Sequence, residues 1–240
     1  MGDVRVGTSG WSYPSWAGPF YPERTPASRM LEVYARTFRA VEAHATHRRA
    51  PAAAALARWV AQVPDGFRFA PKAHMGITHR RDTDGLGERV SAFLAAVAPL
   101  GDRLGPVLFV LPHRQPDLAR LDLLLDALEA LDGRQRRPAA VFELAPPWRV
   151  PEVLERLDGH GATLAVVDRE DDPASGQPVV GPLTYVRLRR PSYTGPELDE
   201  WAGRLAAASG RGDVYAFVKH DEEGSGPRYA RDLVKRLERR

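Results

Sequence analysis

Val4-Arg5-Val6-Gly7-Thr8-Ser9-Gly10-Trp11-Ser12-Tyr13 opens the chain with a short apolar, β-branched run. It breaks at once into a Gly/Ser turn and an aromatic cluster that reaches Trp16. Runs of the same kind recur at 39–43, 67–71, 106–111, 139–144, 163–168, 184–189 and 213–218, so that with 3–8 there are eight. Each is bounded by Gly, Pro or polar turns, the punctuation of strands. Between most of them apolar residues fall at helical spacing. The stripes are Met30-Leu31-Tyr34-Phe38, Ala55-Leu56-Trp59-Val60-Val63, Val90-Phe93-Leu94-Val97 and Leu118-Leu121-Leu124-Leu125-Leu128-Leu131. Val153-Leu154-Leu157, Leu198-Trp201-Leu205 and Tyr229-Leu233-Leu237 complete them. The sixth run is followed instead by a polar loop, Arg169 to Gly181, which reads as a lid or a shortened crossover.

Strand–helix alternation demands parallel pairing, because a helix returns the chain to the edge where the strand began. Eight units predict an α/β fold: a closed or nearly closed (β/α)8 TIM-type barrel of parallel strands, one domain over residues 1–240. An open doubly wound sheet is the competitor. Gly7 and Gly10 do not make the spaced three-glycine phosphate fingerprint expected of it.

In a barrel the chemistry lies at the C-terminal ends of the strands. The first run leads to Ser9, Trp11 and Tyr13, and the second carries Glu42 and then His44, Thr46 and His47. Lys72 ends the third, followed by His74, Thr78 and His79, and His113 follows the fourth. Glu143 ends the fifth and Asp168 the sixth. Arg187 and Arg189 lie on the seventh, with Tyr193 beyond, and Lys219-His220-Asp221 close the eighth. Six of the seven histidines therefore follow strand ends. Glu42, Lys72, Glu143 and Arg187 sit within or at the end of apolar runs, where a charge must be paired or shift its pKa. The bland alternative is a structural salt-bridge layer. Trp11 and Tyr13 read equally as a stacking platform or as a plug at the barrel mouth, whereas Trp59 and Trp201 fit helical stripes and the core.

Composition narrows the chemistry. There is no cysteine, which excludes disulfides, thiolate zinc and cysteine nucleophiles. The net charge is +3, and the basic residues are scattered along the chain, so nucleic acid is the less favoured partner and a small-molecule ligand the expected one. The longest apolar runs fall far short of a membrane span, and Met1-Gly2-Asp3 passes straight into a strand, so a cytoplasmic protein with no membrane partner is expected. No motif indicates a cofactor or an oligomeric state.

Further motifs bear on the family. Gly7-Thr8-Ser9-Gly10-Trp11-Ser12-Tyr13, Trp16 and Gly18-Pro19-Phe20-Tyr21-Pro22 come first, then Val41-Glu42, Phe67-Arg68-Phe69 with Lys72, and Thr78-His79. Leu104-Gly105-Pro106-Val107-Leu108-Phe109 with Leu111-Pro112, Phe142-Glu143, Tyr185-Val186-Arg187-Leu188 and Lys219-His220-Asp221-Glu222 with Gly224 complete the set. Together they resemble the YecE-like family, also called domain of unknown function 72, along nearly the whole chain. The resemblance implies a TIM-barrel-like fold and no settled activity. The chain departs from the family pattern after Glu42 (His44, Thr46, His47, Arg48), after Glu143 (Leu144-Ala145-Pro146, with Trp148 one residue early) and at Val110, often a glutamine.

The leading expectation is an enzyme-like scaffold for a small polar or anionic ligand of sugar or phosphate type. Glu42 or Glu143 would be the general base, and Lys72 or His79 the proton donor or electrophile. Ser9, Trp11, Tyr13, His44, Asp168, Arg187, Tyr193, Lys219 and His220 would line the ligand site. Gly224-Ser225-Gly226-Pro227 offers backbone N–H groups to an anion, opposed by Asp221, Glu222 and Glu223. A metal variant would use Glu42, Glu143, Asp168 and His220. The alternatives are a nucleotide or nucleic-acid binder and a non-catalytic barrel for a metabolite or protein partner. The non-catalytic barrel differs from the first in whether the strand-end residues converge on an open pocket or are locked in pairs, and salt-dependent affinity for single- or double-stranded probes marks the nucleic-acid binder.

Overall fold

A computed structural model describes residues 1–130, 138–221 and 223–240. Leu131, at the end of one predicted helical stripe, and Glu222 lie outside the described residues. The strands are β1 (Val4–Thr8), β2 (Ala40–Ala43), β3 (Arg68–Pro71), β4 (Val107–Leu111), β5 (Ala140–Leu144), β6 (Thr163–Leu164), β7 (Val166–Asp168), β8 (Thr184–Leu188) and β9 (Val214–Val218). Every predicted run thus holds a strand, and the sixth holds two, β6 and β7, interrupted only at Ala165. Helices Ala53–Ala61, Leu86–Val97, Leu118–Glu129, Pro151–Gly159, Gly195–Ala208 and Ser225–Leu237 separate the strands, together with shorter turns of helix. No helix follows β7 before β8, as the polar loop predicts.

All ladders are parallel. One sheet runs β1-β9-β8-β7, a second is β2-β3 and a third β4-β5-β6. Isolated bridges join their edges: Ser9 to Glu42 between β1 and β2, and Phe69 to Leu104 with Lys72 to Leu108 between β3 and β4. The gap between β1 and β2 has a visible cause. The Tyr34 hydroxyl sits between the two strands, accepting from Thr8 N at 2.8 Å and donating to Ala40 O at 3.1 Å. Gly7 is required there, since a Cβ would lie 2.0 Å from Ala40 O.

Two apolar layers follow from the pleat, which sends alternate side chains to opposite faces. The larger core packs the outer strand faces against the helices, with Val6, Val41, Phe69, Phe109, Phe142, Val186 and Val218 among its strand members. The smaller one collects Ala40, Ala70, Leu108, Val141, Ala165, Val167, Tyr185, Tyr215 and Phe217 from the other face. Two residues further along that face come Glu42, Lys72, Val110, Glu143, Arg187 and Lys219. A polar layer therefore caps an apolar one, toward the C-terminal ends of the strands.

Candidate functional site

Glu42 is the centre of this polar layer and is fully buried. Its Oε1 accepts from Arg187 Nε at 2.8 Å and from the Tyr185 hydroxyl at 3.1 Å. Its Oε2 accepts from Arg187 Nη2 at 2.6 Å, Arg189 Nη2 at 3.0 Å, the Ser9 hydroxyl at 3.0 Å and His44 Nε2. Arg189 also donates through Nη1 to Ser9 Oγ at 2.7 Å. The other end of Arg187 donates through Nη1 to Glu143 Oε2, and Glu143 Oε1 accepts from Arg169 Nη2 at 2.6 Å. Two carboxylates from β2 and β5 thus grip one guanidinium from β8. Charge-assisted, bidentate bonds of this kind are among the strongest available to side chains.

Burial pushes the Glu42 carboxyl up, but Arg187, Arg189 and His44 outweigh it and hold it well below the usual carboxylate range. Burial likewise raises Glu143 and the arginines 187, 189 and 169 overcome it, leaving its pKa lowered. Arg187 is held protonated by Glu42 and Glu143 against its own desolvation. Both carboxylates are therefore ionised and committed to arginine, and the donor set of the metal variant is not assembled. Asp168, its third member, belongs to another cluster, accepting from Arg190 Nε at 2.9 Å, Tyr193 OH at 3.0 Å and Ala174 N at 3.1 Å. Among the described residues no group of three or more His, Asp or Glu is placed to hold a metal ion.

Beyond this layer lies a cavity of about 520 Å³ lined by His44, Arg169, Glu170, Asp171, Arg187, Arg189, Pro191, Lys219 and His220. Of the sequence candidates, His44, Arg187, Lys219 and His220 reach it, while Ser9, Glu42 and Glu143 lie behind its wall. The Tyr13 ring stacks on His220 at 4.7 Å and 6°, and its hydroxyl donates to Ser9 O at 2.8 Å, so it backs a lining residue. Lys72 is half-buried, and its ammonium has no hydrogen bond or ion pair among the described residues. Burial, then the charge of Arg187, lowers its pKa. His79 packs its ring 5.0 Å from that of His47 and bonds Thr78 Oγ1 at 2.8 Å through Nδ1. Burial and then Lys72 lower its pKa.

Three expectations meet a different arrangement. The Trp11 ring is buried against Trp59 at 4.8 Å and Phe69 at 6.2 Å, so its faces serve the core between strands and helices. Asp168 and Tyr193 hold each other, with Arg190 stacked 4.5 Å over the Tyr193 ring, and neither lines the cavity. The N–H groups ahead of helix Ser225–Leu237 are already occupied. The Asp221 carboxylate accepts from Ser225 N at 2.8 Å, Gly226 N at 2.7 Å and Glu223 N at 2.9 Å, filling the cradle that an anion would need.

The loop after β7 is a pinned crossover whose first residues face the cavity. Arg149 grips Asp172 at 2.8 and 2.6 Å, and the Gln177 amide bonds both Val167 N and Val167 O. That leaves Arg169, Glu170 and Asp171 on the cavity wall. Arg169 and Tyr185 are site residues that sequence reasoning passed over. The signal for Tyr185 was present, since it precedes Arg187 by two on the same strand face. Arg169 carried none, because a loop has no periodicity.

Parallel strands and covering helices define a parallel α/β protein. The chain belongs to the family described as protein of unknown function DUF72, whose model matches residues 5–240. It is 31% identical over 109 residues to the UPF0759 protein YecE of Escherichia coli K12, and 30% identical over 115 residues to the UPF0759 protein YunF of Bacillus subtilis. Each match takes in 45% of this chain, and they span 38% and 40% of those relatives, less than half of either. Solved structures agree on the fold. A DUF72 family protein from Thermotoga maritima superposes with a TM-score of 0.80 at 23% identity over 98% of this chain and 99% of that one. One from Enterococcus faecalis gives 0.74 at 20% identity over 99% and 98%. Among the described residues no helix is long and apolar enough to cross a membrane.

Proposed function

We propose that this chain is a single-domain, closed (β/α)8 barrel that binds a small anionic ligand, of phosphate or carboxylate type, in the cavity beyond the strand ends. Closure is supported by the bridges that join the three sheets edge to edge, and by Arg187. A guanidinium on β8 that meets carboxylates on both β2 and β5 needs those strands around one interior. The observation that carries the ligand reading is the wall itself: Arg169, Arg187, Arg189 and Lys219 all line one cavity.

In this reading Glu42 and Glu143 are positioning residues. Glu42 holds Arg187 and Arg189, and Glu143 holds Arg187 and Arg169, in orientations that need no rearrangement when an anion arrives, which lowers the entropic cost of binding. Ser9 serves the same end. Lys219, exposed and without an ion pair among the described residues, supplies the adaptable contact at the rim. Lys72 and His79 do not line this cavity and take no part in this reading. Glu170 and Asp171, which also line the cavity, suit a ligand that carries hydroxyl or amino groups as well.

The test is binding of inorganic phosphate and simple sugar phosphates to the full chain by calorimetry. Saturable binding is expected, weakened about tenfold in Arg189→Met and in Lys219→Met, since each removes a charge-assisted hydrogen bond. Equal affinity in wild type and both variants would rule the site out.

A further inference from the structure

A second cavity, of about 870 Å³, lies beside the end of β4 between the 79–85 loop and the start of helix Leu118–Glu129. Arg81, His113, Arg114 and Arg120 line it, with Gln115 and Asp117. Its residues are separate from those of the cavity described above. Arg120 is the unusual member. It is 1% exposed and projects from the first turn of the helix, yet among the described residues it forms no ion pair. Its guanidinium donates to the carbonyls of Ile77 and, at 3.5 Å, Arg81, and its Nε has no partner. A buried guanidinium without a carboxylate is costly, because carbonyl dipoles replace only part of the lost hydration.

The surroundings add to the surplus. Arg81 and Arg114 are exposed at the mouth and make no ion pair among the described residues. His113 Nε2 is buried and has no hydrogen-bond partner among the described residues, and burial followed by the charges of Arg120 and Arg81 lowers its pKa. The helix adds its positive end. Of the opposing acids, Asp117 accepts from Arg120 N at 3.0 Å as the helix cap, and Asp82 is paired with Arg80 at 2.9 Å.

We propose that this cavity is a second anion site, which takes a phosphate-type oxyanion of a small ligand as the missing counter-charge to Arg120. Arg81 and Arg114 close on it from the mouth, and Gln115 lies within the same wall.

The experiment is a ¹H–¹⁵N titration of the full chain with inorganic phosphate, with sodium chloride at matched ionic strength as control. Saturable shifts are expected at the amides of 113–115 and 117–119 and at the Arg120 Nε–Hε signal, with chloride giving none. In Arg81→Ser/Arg114→Ser, whose changes are on the surface and leave the fold intact, the affinity read at these signals falls about tenfold. The shifts near Arg189, which report the first cavity, stay as in wild type. No saturable shift at 113–120, equal shifts with chloride, or unaltered affinity in the double variant would each overturn the proposal, whatever happens near Arg189.

Discussion

Glu42 receives hydrogen bonds from Ser9, His44, Tyr185, Arg187 and Arg189, and it is the side chain on which the polar layer depends. Replacing it with Gln keeps the shape but turns an amide N–H₂ toward guanidinium donors. The expected loss is about 3–5 kcal/mol of unfolding free energy, the usual cost of breaking one partner out of a buried pair, read from urea unfolding. The pH dependence has a definite sign. Because the folded-state pKa values of Glu42 and Glu143 are depressed, their stabilising contribution is present above the unfolded carboxylate pKa. It is lost as pH falls through the folded values. Unfolding free energy measured from neutral pH downward should therefore decline below the ordinary glutamate range. Glu42→Gln should show a shallower decline, since one of the two linked protons is gone.

At the scale of elements, the opening strand and its aromatic turn divide their work. Ser9 faces the network and Tyr13 backs His220, while Trp11 turns outward to pack on Trp59 of helix Ala53–Ala61 and Phe69 of β3. Trp11→Ala should thus destabilise the fold by about 3–5 kcal/mol, as large aromatic truncations in cores do. Phosphate affinity in the first cavity should be unchanged at temperatures where the variant is folded. A comparable loss of affinity without loss of stability would mean that the ring meets the ligand after all. The strands themselves were legible because apolar β-branched runs alternate with amphipathic stripes, a signal that local chemistry alone produces. The same pattern missed the break at Ala165 and the gap beside Gly7. The second arises from a contact between distant segments, the Tyr34 hydroxyl standing where a ladder bond would be.

Across the whole molecule, Arg187 ties β8 to β2 and β5 at once, so the network is both a site and a clasp. Arg187→Met should be severely destabilised, because it removes the cation that the two buried carboxylates share and leaves Glu42 to Arg189 and Glu143 to Arg169. The combined Glu42→Gln/Glu143→Gln/Arg187→Met/Arg189→Met variant should recover part of that loss, since it takes buried charge of both signs out of the layer. Thermal unfolding of wild type and the two variants side by side checks this. A combined variant less stable than Arg187→Met alone would mean that the hydrogen bonds of Ser9, His44 and Tyr185 to Glu42 outweigh the relief of removing buried charge.

The sequence by itself determined the strands, the helices that separate them, their parallel pairing and the set of polar residues at strand ends, because each follows from periodicity and from short-range turn chemistry. It also marked Glu42, Lys72, Glu143 and Arg187 as charges in apolar surroundings. Only the tertiary structure decided their roles. Two glutamates in apolar runs read first as bases and second as anchors, and what separates the readings is the distance to Arg187, a residue more than forty positions from either. The same holds for Asp221, whose carboxylate fills the helix end that a phosphate was expected to occupy, and for Trp11, Asp168 and Tyr193, which face the core or one another. Pairing across the chain is a property of three-dimensional proximity. A linear pattern carries the identity of each charge, and the fold decides which opposite charge neutralises it.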